Sequence, residues 1–300
     1  MQVVILCGGQ GTRIRDVAED LPKPLVPIGG RPILWHIMKG FAQQGFDDFI
    51  LCLGYKSWLI KRYFLDYQAA QADFSLRLAA PEQVQILAPA ALENWQVTLA
   101  ETGLDAMTGC RVKRIEKYIT DDHFFLTYGD GVADVDLLKL LEFHHDHGKT
   151  GTVTAVQPSG RFGELEFDGD RVLEFAEKPV QARGWINGGY FVLNRRIFDL
   201  LENNADLAFE GPPLQGLCRD GELMAYRHDG FWQPMDNSRD FQYLNTLWVE
   251  GQAPWNTWDR LDRLNGFNRE RTTHGCYEPV LAGSPRVRHR RNRASGRVDG

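Results

Sequence analysis

The chain lacks a long apolar segment, and its few cysteines are scattered. No uninterrupted apolar run in its 300 residues approaches the ~20 residues that a transmembrane helix needs. The first apolar run, from Val3 to Leu6, stops before Gly8 and has no basic segment in front of it, which disfavours a signal peptide. The five cysteines form no CxxC pair, as is typical of reduced thiols. We therefore expect a cytoplasmic protein without a membrane partner.

Positive charge is scarce outside the C-terminal end. The net charge of −6 argues against a nucleic-acid partner. Residues 259–300 contain ten Arg and five acidic residues, and regular apolar periodicity ends near Leu264. We predict one domain over residues 1–263 and a basic, disordered tail over residues 264–300.

Short apolar runs alternate with amphipathic stretches in the first half, as expected for a parallel sheet covered on both faces. The predicted strands there are Val3–Cys7, Phe49–Leu53 and Phe124–Tyr128, and the predicted helices begin at Pro32, Ser57 and Asp134. The second half is richer in strands, predicted at Gly151–Val156, Glu164–Phe167, Arg171–Phe175 and Tyr190–Leu193, with helices at Arg195–Leu201 and Ser238–Trp248. Ligands of such α/β sheets bind beyond the carboxyl ends of the strands, here after Cys7 and Tyr128.

A glycine-rich loop follows the first strand. It reads Gly8-Gly9-Gln10-Gly11-Thr12-Arg13, so backbone N–H groups and a guanidinium can face an anion. Ten residues later, Pro22 and Pro24 fix the backbone on both sides of Lys23. The Walker A pattern is absent, and Ile14 stands where a dinucleotide fingerprint needs a small residue. A nucleotide phosphate site is favoured over an ordinary strand–loop turn.

These motifs, followed by Gly29-Gly30-Arg31-Pro32-Ile33-Leu34, resemble those of the sugar-nucleotide pyrophosphorylases, a nucleotidyltransferase family. The resemblance implies a Rossmann-like three-layer α/β fold with a mostly parallel sheet and a strand-rich sugar-binding second half. Residues 1–150 would mainly bind the nucleotide and residues 151–263 the sugar phosphate. The loop would wrap the triphosphate, and Lys23 would contact its α-phosphate.

Two aspartates are candidate metal ligands. Asp130 lies between glycines at the end of a buried strand, and Asp236 closes the run Gly230-Phe231-Trp232-Gln233-Pro234-Met235-Asp236. Taken alone, Asp130 would more often be a turn residue. The resemblance implies that Asp130 and Asp236 hold Mg²⁺, an ion that prefers oxygen ligands.

The candidate sugar-phosphate motifs are Glu177-Lys178-Pro179 and Asn187-Gly188-Gly189. Lys178 suits a phosphate, Glu177 and Asn187 suit hydroxyl groups, and Gly188 and Gly189 would let a sugar ring approach the backbone. A solvated turn and a hairpin are the alternative for the motifs alone. The resemblance implies the sugar-phosphate role, and it places Arg161-Phe162-Gly163 on the same side.

Several further stretches look like the glucose-1-phosphate cytidylyltransferase branch of the family, among them Thr127–Asp134 and Thr102–Arg111. The branch implies CTP and α-D-glucose 1-phosphate as substrates, CDP-glucose for deoxysugars of surface polysaccharides as product, and a homo-oligomer. The resemblance also implies the site residues. The catalytic set would be Arg13, Lys23, Asp130, Lys178 and Asp236, and the nucleotide contacts would come from Leu6, Gly8, Gly9, Gln10, Gly11, Thr12, Arg13, Lys23, Asp105, Thr108, Gly109, Cys110 and Gly129.

Two departures and several alternatives stay open. Pro212 stands where the family usually has Glu, and Cys110 where it usually has Gly. The same fold could use UTP or dTTP, or the chain could be an inactive regulatory subunit that binds nucleotide sugars. A surface loop with a helix N-cap at Thr108 is the alternative for the base-binding loop. We interpret His36 as a packing residue and His144-His145-x-His147 as a polar helix end.

Overall fold

The structure is a computed structural model that describes residues 1–10, 20–88, 92–158, 164–168, 171–176 and 184–259. Several predicted residues lie outside these ranges. They are Gly11, Thr12 and Arg13 of the glycine loop, Arg161–Gly163, Glu177 and Lys178 of the sugar side, and the tail 264–300.

The described chain contains fifteen strands. In chain order they are β1 (Gln2–Leu6), β2 (Pro27–Ile28), β3 (Arg31–Pro32), β4 (Asp48–Leu53), β5 (Asp73–Arg77), β6 (Ala80–Ala88), β7 (Gln96–Glu101), β8 (His123–Tyr128), β9 (Gly131–Ala133), β10 (Gly151–Val156), β11 (Glu164–Asp168), β12 (Arg171–Ala176), β13 (Ile186–Asn194), β14 (Leu223–His228) and β15 (Trp232–Pro234).

Six α-helices accompany the strands in the described ranges: α1 (Ile33–Ala42), α2 (Ser57–Leu65), α3 (Thr108–Arg114), α4 (Leu137–His147), α5 (Pro212–Arg219) and α6 (Ser238–Val249). Short 3₁₀ helices cover Lys23–Leu25, Ala69–Gln71, Glu116–Tyr118 and Arg195–Leu200. None of the helices described is long and apolar enough to cross a membrane.

Seven strands form one central sheet in the order β14-β10-β13-β8-β1-β4-β7. All neighbours pair in parallel except β13, which is antiparallel to both β8 and β10. Alternate residues of β1 enter two apolar clusters, with Val3 and Ile5 in one and Val4 and Leu6 in the other. The sheet is therefore covered on both faces. The predicted α/β class with a mostly parallel sheet is confirmed.

Element boundaries differ from the prediction at two helix starts, and a third predicted helix differs in type and end. Pro32 belongs to β3, and α1 begins one residue later. Asp134 does not cap α4. The Asp136 side chain accepts a hydrogen bond from the Lys139 N–H instead, while Asp134 accepts from the Phe231 N–H at 2.7 Å. The predicted helix at Arg195–Leu201 is a 3₁₀ helix over Arg195–Leu200.

His36 is buried among tryptophans. Its side chain is 1% exposed, and ring centroids of Trp35, Trp248, Trp255 and Trp258 lie 4.6–6.3 Å from it. Its Nε2 lies 2.9 Å from the Ile28 carbonyl. The interpretation as a packing histidine agrees with this geometry, and the C-terminal tryptophans pack on the core of their own chain.

We expect acid to destabilise the fold through His36. Burial lowers its pKa to about 4 from about 6.5. Between these values the unfolded chain binds a proton that the folded chain does not, so stability is complete above about pH 6.5 and falls as the pH decreases towards about 4. The loss attributable to this group should reach about 3 kcal/mol. Urea unfolding of wild type and His36→Gln at several pH values measures it.

The variant should have the shallower pH dependence. His144, whose burial lowers its pKa to about 3, contributes in the same direction and is present in both proteins. Parallel curves for the two proteins would contradict the role of His36.

Candidate active site

A cavity of about 410 Å³ opens at the carboxyl ends of β1 and β8. This volume lies in the range of small-molecule sites. Its wall consists of Leu6, Cys7, Gly8, Gly9, Lys23, Pro24, Ala106, Thr108, Arg111, Tyr128, Gly129, Asp130 and Asp236. The cavity therefore lies where the strand–helix alternation predicts a ligand site.

A short strand pair brings Asp130 and Asp236 together. In the antiparallel pair of β9 and β15, Gly131 lies opposite Pro234. One step further, the Met235 N–H donates to the Asp130 carbonyl at 2.8 Å. The two aspartates therefore enter the cavity side by side, although they lie far apart in the sequence.

The ammonium of Lys23 lies between these aspartates. Its Nζ is 2.6 Å from Asp130 Oδ2 and 2.6 Å from Asp236 Oδ1. The 3₁₀ turn after Pro22 holds Lys23, with the Leu25 N–H donating to the Pro22 carbonyl at 2.8 Å. Burial acts to lower the Lys23 pKa, but the two carboxylates outweigh it and raise the pKa above its ordinary value. Lys23 is therefore a fixed positive charge.

The two carboxylates also fit a magnesium ion. Asp130 and Asp236 are 34% and 31% exposed, and both line the cavity. Their oxygens already converge on one cation, and Mg²⁺ is commonly held by one or two carboxylates together with substrate phosphates and water. No cluster of three or more His, Cys, Asp or Glu suited to a metal occurs in the described ranges. Substrate phosphates and water could complete the coordination of such an ion.

The first part of the glycine loop forms the floor of the cavity. Gly8 is buried, whereas Gly9 and Gln10 are exposed, and Gln10 does not line the wall. The Gly129 N–H donates to the Leu6 carbonyl at 3.0 Å, which ties the ends of β1 and β8 together. Burial raises the pKa of the Cys7 thiol well above its usual range, so this cavity residue is not a ready nucleophile.

Arg111 is a cavity residue that sequence reasoning did not select. Its side chain is buried, and its guanidinium donates to the carbonyls of Gly8, Leu53, Gly103 and Leu104 and to the Thr102 hydroxyl at 2.8–3.2 Å. None of these partners is a carboxylate, and burial lowers the Arg111 pKa. A Cβ atom at Gly8 would lie 2.2 Å from the guanidinium, so a larger residue there would displace Arg111 from these hydrogen bonds. Arg111 thus joins the loops that follow β1, β4 and β7.

Of the predicted base-binding residues on and before α3, only Thr108 lines the cavity. Thr108 lines the cavity together with Arg111, three positions later on the same helix face. Gly109 and Cys110 turn away from the wall. Gly109 faces Leu207, and the Cys110 thiol lies 3.5 Å from Asn203 Oδ1. Asp105 is exposed and does not line the cavity. Thr108 is the first helical residue, and its side chain does not cap the helix.

The predicted sugar-side residues Asn187, Gly188 and Gly189 begin β13. Asn187 Nδ2 lies 3.4 Å from the Tyr128 hydroxyl of the cavity wall. Gly189 has a φ of +80°, and a Cβ atom there would lie 2.5 Å from the Tyr128 ring. Backbone conformation and packing therefore require glycine at 189, independently of any sugar.

Glu210 is a second residue that sequence reasoning did not select. One carboxylate oxygen accepts from the Thr108 hydroxyl at 2.6 Å, and the other accepts from the Tyr128 hydroxyl. Pro212, where the family usually has Glu, occupies the first turn of α5, a position that tolerates proline. In this chain, Glu210, two residues before Pro212, contacts the cavity wall at Thr108 and Tyr128.

Sequence comparison agrees with this geometry. The model of the "Nucleotidyl transferase" family matches residues 2–234. A Salmonella typhi protein named glucose-1-phosphate cytidylyltransferase is 49% identical over 260 residues, which cover 86% of this chain and 100% of that protein. A Bacillus subtilis protein named probable glucose-1-phosphate cytidylyltransferase is 44% identical over 258 residues, with the same shares of 86% and 100%.

Structural comparison finds the same fold in a solved structure. The crystal structure of HddC from Yersinia pseudotuberculosis complexed with GMP-PN has a TM-score of 0.58 to this chain at 26% identity. The alignment covers 82% of this chain and 99% of HddC.

We expect Arg111→Lys to destabilise the fold by about 3 kcal/mol, because a lysine cannot serve five acceptors and leaves buried carbonyls unpaired. Arg114→Lys is the matched control on the same helix. Arg114 bonds only the Thr102 carbonyl and Asn203 in a more exposed position, so its replacement should cost less than about 1 kcal/mol. Urea unfolding measures both, and equal losses would contradict the structural role of Arg111.

Proposed function

The chain belongs to the nucleotidyl transferase family, and from that premise we propose that it transfers the cytidylyl group of CTP to α-D-glucose 1-phosphate, giving CDP-glucose and pyrophosphate. The observation that carries the proposal is the convergence of Lys23, Asp130 and Asp236 on one cavity at the strand ends. The choice of CTP and glucose 1-phosphate is supported by relatives of that name at 49% and 44% identity.

The reaction is an in-line displacement. A phosphate oxygen of the sugar phosphate attacks the α-phosphorus of CTP, the bond to the bridging oxygen breaks, and pyrophosphate leaves. The nucleophile is already an anion, so no general base is needed. The difficulty is to bring two polyanions together, and catalysis rests on positioning and on neutralising charge.

Fixed cations perform this task. Lys23, anchored by two carboxylates, stabilises negative charge at the α-phosphate. Arg13 holds the leaving pyrophosphate, and Lys178 steadies the attacking phosphate; both assignments rest on the motif resemblance. When Mg²⁺ is bound by Asp130 and Asp236, it supplies further neutralisation of phosphate charge.

The two halves of the chain divide the substrates between them in this proposal. Leu6, Gly8, Gly9, Thr108 and Gly129 of residues 1–150 face the nucleotide, and Asn187 of residues 151–263 faces the sugar. Gln10, Asp105, Gly109 and Cys110 would reach the nucleotide only in a rearranged loop, since they do not line the cavity. We further propose a cytoplasmic homo-oligomer. The free thiols of Cys7, Cys52, Cys110 and Cys218 accord with a reducing compartment.

The nucleotide choice is tested by pyrophosphate release with glucose 1-phosphate and Mg²⁺ across a panel of triphosphates. We expect CTP to be preferred over UTP and dTTP by at least tenfold in kcat/KM. Faster release with UTP or dTTP would replace CTP by that nucleotide. Binding of CDP-glucose without any release of pyrophosphate would favour the regulatory subunit instead.

We expect Lys23→Ala to lose at least a hundredfold in kcat, because removing one charge-stabilising donor costs about 3 kcal/mol of barrier. Lys61→Ala is the control. Lys61 also forms a 2.6 Å ion pair, with Glu101, but it lies on α2 away from the cavity wall, and its turnover should match wild type. Circular dichroism checks folding. Near-normal turnover of a folded Lys23→Ala variant would rule out the role.

A further inference from the structure

One wall of the cavity presents two hydroxyl groups whose protons are already committed. Thr108 donates to one oxygen of Glu210, and Tyr128 donates to the other. An ionised carboxylate accepts hydrogen bonds and donates none. Each hydroxyl has a single proton, so both protons point at Glu210 and neither points into the cavity.

The loop that carries Glu210 is held independently. The Met107 N–H donates to the Ala205 carbonyl at 2.8 Å, and the Cys110 N–H donates to the Leu207 carbonyl at 3.1 Å. The Phe209 N–H donates to the Thr108 hydroxyl at 2.9 Å. The carboxylate is thus positioned by its backbone, and the direction of both hydroxyl protons follows from it.

The Asn187 amide shows that the Tyr128 oxygen acts as a hydrogen-bond acceptor. The Gly189 N–H donates to Asn187 Oδ1 at 2.8 Å, which sets the orientation of the amide. Its Nδ2 group therefore faces the Tyr128 oxygen, 3.4 Å away, as a donor. The Tyr128 hydroxyl therefore donates to Glu210 and accepts from its other partners.

We propose that Glu210 is a positioning residue that makes the Tyr128 hydroxyl an obligate acceptor, and that this acceptor receives a ring hydroxyl of the sugar phosphate. The inference rests on the proposed function and deepens it by assigning a specificity contact. A hydroxyl can donate to Tyr128, whereas a phosphate oxygen at neutral pH cannot. The Tyr128 hydroxyl therefore selects the sugar ring over phosphate groups, which belong beside Lys23.

The test uses monodeoxy and monodeoxyfluoro analogues of glucose 1-phosphate, one pair for each ring hydroxyl. Fluorine accepts weakly and does not donate, so a hydroxyl that acts as donor is replaced by neither analogue. In wild type we expect one ring position at which both analogues raise the sugar-phosphate KM about threefold to tenfold, as for one net neutral hydrogen bond. The KM for the nucleotide should not change.

Two variants connect this position to the wall. In Tyr128→Phe, the parent sugar phosphate should show the same rise in KM, and the decisive analogues should show no further rise. In Glu210→Ala, neither hydroxyl keeps its carboxylate acceptor, so the Tyr128 proton can turn towards the ligand. The preference for the parent over the fluoro analogue at that ring position should then weaken at least threefold. The same Glu210 substitution should change this preference much less when it is combined with Tyr128→Phe. Asp206→Asn, on the same exposed loop, and Tyr243→Phe, exposed on α6, should match wild type.

Unchanged discrimination among the analogues in Tyr128→Phe would overturn the inference while leaving the transferase activity intact. Failure of the proposed function looks different, because wild type would then release no pyrophosphate from CTP and glucose 1-phosphate. In that case calorimetric binding of the same analogues gives the comparison without turnover. Equal affinity of wild type and Tyr128→Phe for every analogue would again contradict the contact.

Discussion

The antiparallel pairing of β9 with β15 is the constraint on which the site depends. It continues through the hydrogen bond from Met235 to Asp130, so two acidic side chains from distant parts of the chain must lie next to each other. Adjacent carboxylates repel unless a cation lies between them. Lys23 supplies that cation at 2.6 Å from each. Lys23 therefore stabilises the two adjacent aspartates and at the same time holds a positive charge in the cavity.

The reversed strand β13 explains how the sugar side meets the nucleotide side. Because β13 is antiparallel to β8, its first residues lie beside the last residues of β8. A motif at the start of one strand, Asn187-Gly188-Gly189, thus reaches Tyr128 at the end of another. In a fully parallel sheet these two segments would lie at opposite ends.

The sequence was most informative where both faces of a strand are covered. The strands β1, β4 and β8 are mostly apolar after their first residue, and their predicted bounds agree with the structure to within one residue. The strands β7 and β14, at the two edges of the sheet, were not predicted because partial exposure mixes polar residues into them. Helix starts were displaced where two capping residues compete, as Asp134 and Asp136 do before α4.

The candidate site divides in a similar way. Lys23, Asp130 and Asp236 could be selected from their motifs, since Lys23 lies between two prolines, Asp130 between two glycines and Asp236 two residues after Pro234. Arg111 and Glu210 could not. Arg111 bonds carbonyls and one hydroxyl and, within the described part of the chain, has no acidic partner that a charge pattern would reveal. Glu210 acts on hydroxyls about 80 and 100 positions away. Lys23 and Glu210 give the cavity two walls with different hydrogen-bonding and charge properties. In the proposed mechanism, positive charge at Lys23 attracts phosphates to one side, and the Tyr128 acceptor held by Glu210 disfavours them on the other. In the proposed mechanism, a sugar phosphate that satisfies both walls enters with its phosphate towards Lys23, which is the orientation that an attack on the α-phosphorus requires.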